Sequence, residues 1–155
     1  MNIVQLAKEF AINAHGNQKY GKMPYEYHLQ QVVSKLMYWR DLGQWNITDE
    51  CLAVGWLHDV IEDCHISLNT LEQNFGDEIA GQVMMLSKHG LVPYQTYIEI
   101  IIKHPVAKLV KMADTLCNLE ASILSGEMKR INKYSKQLAL LTEAGCGDIC
   151  IGDGR

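Results

Sequence analysis

Glu50-Cys51-Leu52-Ala53-Val54-Gly55-Trp56-Leu57-His58-Asp59-Val60-Ile61-Glu62-Asp63 is the stretch on which the reading of this chain turns. Its first half, Cys51 to Leu57, has no polar residue. That pattern belongs to a helix covered on every side, and it is far shorter than the roughly 20 residues a membrane span needs. Thr48 can cap the helix, and Asp49 and Glu50 fall in a first turn that favours anions, so the helix is expected to run to about Asp63. Residues four apart share a helix face, which puts His58 above Glu62 and Asp59 above Asp63. Three carboxylates and an imidazole then crowd one edge of a largely buried helix. Ionised acids in such a place cost several kcal/mol each unless a cation compensates them. A divalent metal would do so; the competing reading is that the four residues simply emerge at the solvent-facing end of the helix, as most charge runs do.

On the C-terminal side, Asp114 and Asn118 are again four apart, inside the apolar helix expected from Val106 to Leu119. Mid-helix Asp and Asn are poor helix formers that need a reason to be there. On the N-terminal side, His28 stands at the start of a helix that Leu29, Val32, Val33 and Leu36 carry toward Gly43. Two imidazoles and two carboxylates suit a catalytic first-row metal with open positions better than a closed structural zinc site.

The rest of the chain is also helical in pattern. Ile3, Leu6, Ala7, Phe10, Ala11 and Ala14 form one apolar stripe ending near Gly16. Residues 16–27 have no period and read as a surface loop. Ser67 can cap a short helix that stops at Gly76, and Asp77 can cap another running to about Lys88. Pro93 and Pro105 mark the first turns of two more, and a last helix fits Glu127 to Glu143. No useful period of two occurs, so strands should be absent or trivial. The expected fold is all-α, a single bundle of about seven to eight helices over residues 1–144. A glycine-rich tail, 145–155, is expected to be poorly ordered.

With 155 residues, 48% apolar and 21% charged, the chain can bury an ordinary core and is neither disordered nor low in complexity. A net charge of −4 without a basic and aromatic stretch argues against duplex nucleic acid as the main partner. The absence of a long apolar run argues against a membrane. Cys51, Cys64, Cys117, Cys146 and Cys150 are odd in number and scattered, so they read as reduced thiols of a cytoplasmic protein.

Three segments in order, Tyr25-Glu26-Tyr27-His28, Leu57-His58-Asp59-Val60-Ile61-Glu62-Asp63 and Leu109-Val110-Lys111-Met112-Ala113-Asp114, resemble the H…HD…D signature of the HD metal-dependent phosphohydrolases. More narrowly they are similar to the (p)ppGpp hydrolase domain of the RelA/SpoT proteins and to the small alarmone hydrolases. The likeness extends from about Ala11 to Tyr134. It implies an HD-domain helical bundle in which His28, His58, Asp59 and Asp114 bind one metal, typically manganese. It further implies that Glu62 and Asp63 activate and orient the attacking water. Asn118, Lys19, Arg130 and Tyr134 would contact a nucleotide substrate. The chain departs from the pattern at Thr115, where Arg or Lys is usual, and at Cys117, where His or Tyr is usual. The expected activity is removal of the 3′-pyrophosphate from guanosine alarmones. The alternatives are an HD hydrolase for another nucleotide, a 5′-nucleotide or a phosphorylated dinucleotide, and a catalytically silent nucleotide-binding module.

Overall fold

The structure, a computed structural model, describes residues 2–88 and 90–143. The expectations for the tail 145–155, with Cys146 and Cys150, lie outside the described residues. The described elements are α1 (Ile3–His15), β1 (Lys19–Tyr20), β2 (Met23–Pro24), α2 (Tyr25–Asp41), α3 (Asp49–Leu57), α4 (Val60–Cys64), α5 (Leu68–Phe75), α6 (Asp77–Leu86), α7 (Tyr94–Ile102), α8 (Pro105–Ser125) and α9 (Met128–Glu143). The fold is all-α. Among the described residues its one sheet is a hairpin of two two-residue strands that pairs Lys19 with Pro24 and Tyr20 with Met23.

Several starts follow from capping chemistry. Thr48 accepts the Cys51 N–H and opens α3, and Ser67 accepts the Thr70 N–H at 3.1 Å and opens α5. Pro105 is the first residue of α8, where a missing N–H costs nothing. Pro93 instead stands just before α7 as its cap residue. Asp77 does not cap α6 either. Gly76, at φ +82°, holds that position, a backbone conformation that suits glycine, and Asp77 begins the helix. The same helix stops at Leu86 rather than Lys88, where Ser87 turns to extended backbone at φ −74°, ψ 121°.

Two departures from the sequence expectation matter for the site. The stretch 16–27 is not all loop. It folds into the hairpin, with Gly21 at φ +58° in its turn, and α2 begins at Tyr25, so His28 lies in the first turn of a formed helix. The expected continuous helix from 50 to 63 is broken. α3 ends at Leu57 and α4 begins at Val60, with Asp59 at φ −106°, ψ −2° between them. At the break His58 Nδ1 approaches the Gly55 carbonyl at 2.8 Å, engaging the oxygen that a continuous helix would give to the Asp59 N–H. Counting α3 and α4 as one interrupted helix, the described bundle has eight helices.

α3 is the axis of the core. Every residue from Cys51 to Leu57 is buried, and the helix packs against α1, α2, α6 and α8. Each buried Leu or Val there contributes roughly 1.5–3 kcal/mol relative to exposure. Gly55 permits the closest of these approaches. A Cβ at that position would stand 2.9 Å from Leu36 Cδ1 and 3.2 Å from Val33 Cγ2 of α2. The close contact of α2 with α3, and of both with α8, brings His28, His58 and Asp114 to one place.

Candidate metal centre and active site

α2, the break after α3, and α8 each deliver donors to one point. His28 Nε2 lies 3.2 Å from Asp114 Oδ1 and 3.8 Å from Asp59 Oδ2. His58 Nε2 lies 3.0 Å from Asp59 Oδ2 and 3.8 Å from Asp114 Oδ1. Ligand atoms of His28, His58 and Asp114 fall within 4.8 Å of one another, and all three residues are buried. His58 Nδ1 is committed to the Gly55 carbonyl, which fixes the tautomer that leaves Nε2 as an electron-pair donor. That buried Nε2 makes no aligned hydrogen bond, despite the nearness of Asp59. An orphaned imidazole nitrogen beside two acids fits a divalent cation, and the donor set, two imidazoles and two carboxylates, suits such an ion.

The electrostatics express the same demand. Burial works to raise the Asp59 carboxyl, but His58 outweighs it and holds the group down to about 2. Burial likewise opposes ionisation of Asp114, yet Lys111, then His28 and His58, keep its carboxyl well below the ordinary range. Burial disfavours a charged His58, and Asp59 and Asp114 nevertheless lift the imidazole well above its usual value. The pair of carboxylates attracts whatever cation is at hand, a proton included.

A second set of side chains fixes these donors. Tyr25 donates its hydroxyl to Asp59 Oδ2 at 2.6 Å and stacks on His15, ring centroids 4.2 Å apart. Burial, then the charge of Asp59, pushes the Tyr25 phenol far up, so it remains a donor. Asn118 donates Nδ2 to Asp114 Oδ1 at 2.6 Å and to the Asp114 carbonyl at 3.0 Å, while its own Oδ1 accepts from Tyr20 at 3.0 Å. Lys111 Nζ lies 3.0 Å from Asp114 Oδ2.

The donors open into a cavity of about 280 Å³. Glu62, Asp63, Asn118 and Tyr134 line it, together with His28, Asp59 and Asp114. Glu62 and Asp63 are exposed at its mouth. Glu62 Oε2 accepts the Lys88 N–H at 2.9 Å, and Asp63 Oδ2 accepts from Gln18 Nε2 at 2.8 Å. Asn118 is buried and turned to Asp114. Lys19 is exposed and does not line the cavity; its neighbour Tyr20 does, because successive strand residues point to opposite sides. Arg130 pairs with Glu127 at 3.5 Å and sits 5.8 Å from the Tyr134 ring centroid, also off the lining. Sequence reasoning passed over the cations that do line the cavity, Lys88, Lys111 and Lys133. Lys111 alone had a signal, standing three residues before Asp114. The departure at Thr115 has a structural role. Thr115 is fully buried, donates to the Lys111 carbonyl at 2.6 Å and accepts from Gln137 of α9 at 2.8 Å, so an Arg or Lys would have no room.

No family model matches the chain. Over 143 residues, 86% of its length, it is 30% identical to a guanosine-3′,5′-bis(diphosphate) 3′-pyrophosphohydrolase of Aquifex aeolicus. Over 144 residues it is 33% identical to a probable enzyme of the same name from Synechocystis. The chain is thus similar, over most of its length, to one part of these larger pyrophosphohydrolases. It spans only 20% and 18% of the length of those two relatives. A third relative, the pyrophosphohydrolase MESH1 of Drosophila melanogaster, is 35% identical over 79 residues, 44% of its length. The fold matches the solved structure described as a metazoan ortholog of SpoT that hydrolyzes ppGpp. The TM-score is 0.74 at 22% identity, over 95% of this chain and 87% of that one. Among the described residues no helix is long and apolar enough to cross a membrane.

Proposed function

We propose that this HD-type domain is a cytoplasmic, manganese-dependent hydrolase that removes the 3′-pyrophosphate of guanosine alarmones. The observation that carries the reading is the union of the buried donor cluster His28, His58 and Asp114, with Asp59 beside it, and a cavity whose wall bears Lys88, Lys111 and Lys133. The named activity of its relatives supplies the substrate class. His28, His58, Asp59 and Asp114 would hold the ion. A divalent ion bound there would lower the pKa of water toward about 7 and offset charge on phosphoryl oxygens. Water adds across the ester between ribose and pyrophosphate; its oxygen ends on phosphorus and a proton on the 3′ oxygen. Glu62 and Asp63, at the mouth, orient the water and carry that proton, a role in which general acid–base help is worth roughly 10²–10⁴-fold. The three lysines bind phosphate oxygens through charge-assisted hydrogen bonds. Tyr134 offers a ring face to the nucleotide, Arg130 reinforces that face from behind, Lys19 adds charge outside the cavity, and Asn118 serves the substrate through Asp114. The test is product analysis with manganese. Guanosine 3′,5′-bis(diphosphate) should yield pyrophosphate and GDP. Release of orthophosphate from 5′-monophosphates at a higher kcat/KM would overturn the alarmone reading in favour of a general nucleotidase.

A further inference from the structure

The two oxygens of Asp114 have different companions. Oδ1 faces the donors, 3.2 Å from His28 Nε2 and 2.6 Å from Asn118 Nδ2. Oδ2 is 3.0 Å from Lys111 Nζ. Lys111 is itself held in place. Its ammonium lies 5.9 Å from the centroid of the Tyr97 ring, and the Tyr97 hydroxyl is anchored on the Leu86 carbonyl at 2.6 Å. The Lys111 side chain is only 19% exposed, so its stem has little freedom to swing away.

We propose that Lys111 is a positioning residue that keeps Asp114 a one-oxygen ligand and thereby tunes the centre against calcium. The inference rests on the metal-site reading given above. A carboxylate with both oxygens free can grip an ion with both, and calcium, which takes six to eight oxygen ligands at 2.3–2.6 Å, exploits that. An ammonium already hydrogen-bonded to Oδ2 denies the second contact. Smaller ions that accept imidazole nitrogen and near-octahedral geometry lose nothing by this.

The experiment is calorimetric titration of the metal-free protein with manganese and, separately, with calcium, in wild type, Lys111→Met and Lys111→Arg. Removing the ammonium also removes repulsion, but that benefits every divalent ion alike and cancels in the ratio of the two affinities. Methionine keeps the volume and cannot hold Oδ2. The preference for manganese over calcium should fall about tenfold, the size typical of changes to groups that orient ligands. Arginine can still donate to Oδ2 and should restore it. If Lys111→Met does not fold, Lys111→Leu, which also has no donor for Oδ2, carries the same test. A ratio within about twofold of wild type, accompanied by a raised KM, would overturn the inference and leave Lys111 a phosphate contact only. Wild type binding neither ion would instead sink the metal-site reading itself, and the inference with it.

Discussion

Replacing Tyr25 with Phe isolates one hydrogen bond. The ring keeps its volume and its stacking on His15, 17° from parallel. Only the hydroxyl that donates to Asp59 Oδ2 at 2.6 Å is lost. Two effects oppose each other. The freed lone pair makes Asp59 a stronger donor, but the carboxylate, 23% exposed, loses the contact that aims it. Hydrogen bonds to charged groups are worth about 1.5–3 kcal/mol, and loss of groups that orient metal ligands typically costs 10–100-fold in affinity. Orientation should therefore dominate, and manganese affinity should fall about 10–100-fold. Calorimetric titration of the metal-free variant measures this, with thermal unfolding in chelator as the control for packing. A dissociation constant within about twofold of wild type, in a variant that melts normally, would refute the claim that Tyr25 aims Asp59.

His58→Ala or Asp59→Asn should remove metal and activity together, because each deletes a donor; full metal occupancy by elemental analysis would contradict this. Glu62→Gln keeps an acceptor for the Lys88 N–H, so metal should remain bound while turnover falls by about 10²–10⁴-fold, and a loss under about threefold would count against the proton-transfer role. Burial opposes charge on His58, but Asp59 and Asp114 outweigh it and lift its pKa well above the ordinary imidazole value, which favours a proton on the metal-free imidazole. A ligating nitrogen must shed that proton, hence ion binding at pH 7 should release about one proton and weaken as pH falls; calorimetry in buffers of different ionisation enthalpy counts it, and a count of zero would exclude the protonated resting state.

Helix content was legible because it rests on periodicity, which local sequence carries directly. The apolar stripe of Ile3, Ala7, Ala11 and Ala14 and the buried run Cys51 to Leu57 could be placed from spacing alone. Interruptions were not. The start of α2 at Tyr25 follows a hairpin too short to show a period, and α6 stops at Leu86 where the Ser87 backbone turns extended. Such local events turn on differences of about 1 kcal/mol, the worth of a single hydrogen bond, below what pattern can resolve.

The site divides along the same line. Asp59 and Asp114 were legible as candidate ligands because a buried acid demands a partner, and that demand shows wherever an acid interrupts an apolar helix; the assignment of His28 and His58 to the same ion rests on the resemblance. The expected face pairing of His58 with Glu62, however, assumed an unbroken helix. The break after Leu57 is what makes adjacent residues useful as ligands. In a continuous helix, neighbours point about 100° apart; with Asp59 at the start of α4 instead, its Oδ2 comes within 3.0 Å of His58 Nε2. Glu62 and Asp63, one turn further on, are left at the cavity mouth, exposed. One hydrogen bond, His58 to the Gly55 carbonyl, thus accompanies both the fixed tautomer and the separation of ligands from outer acids. Lys88 and Lys133 had no comparable signal. An ammonium on a cavity wall and one on an ordinary solvated face share the same sequence pattern, and only the packing of α6, α8 and α9 around α3 and α7 distinguishes them.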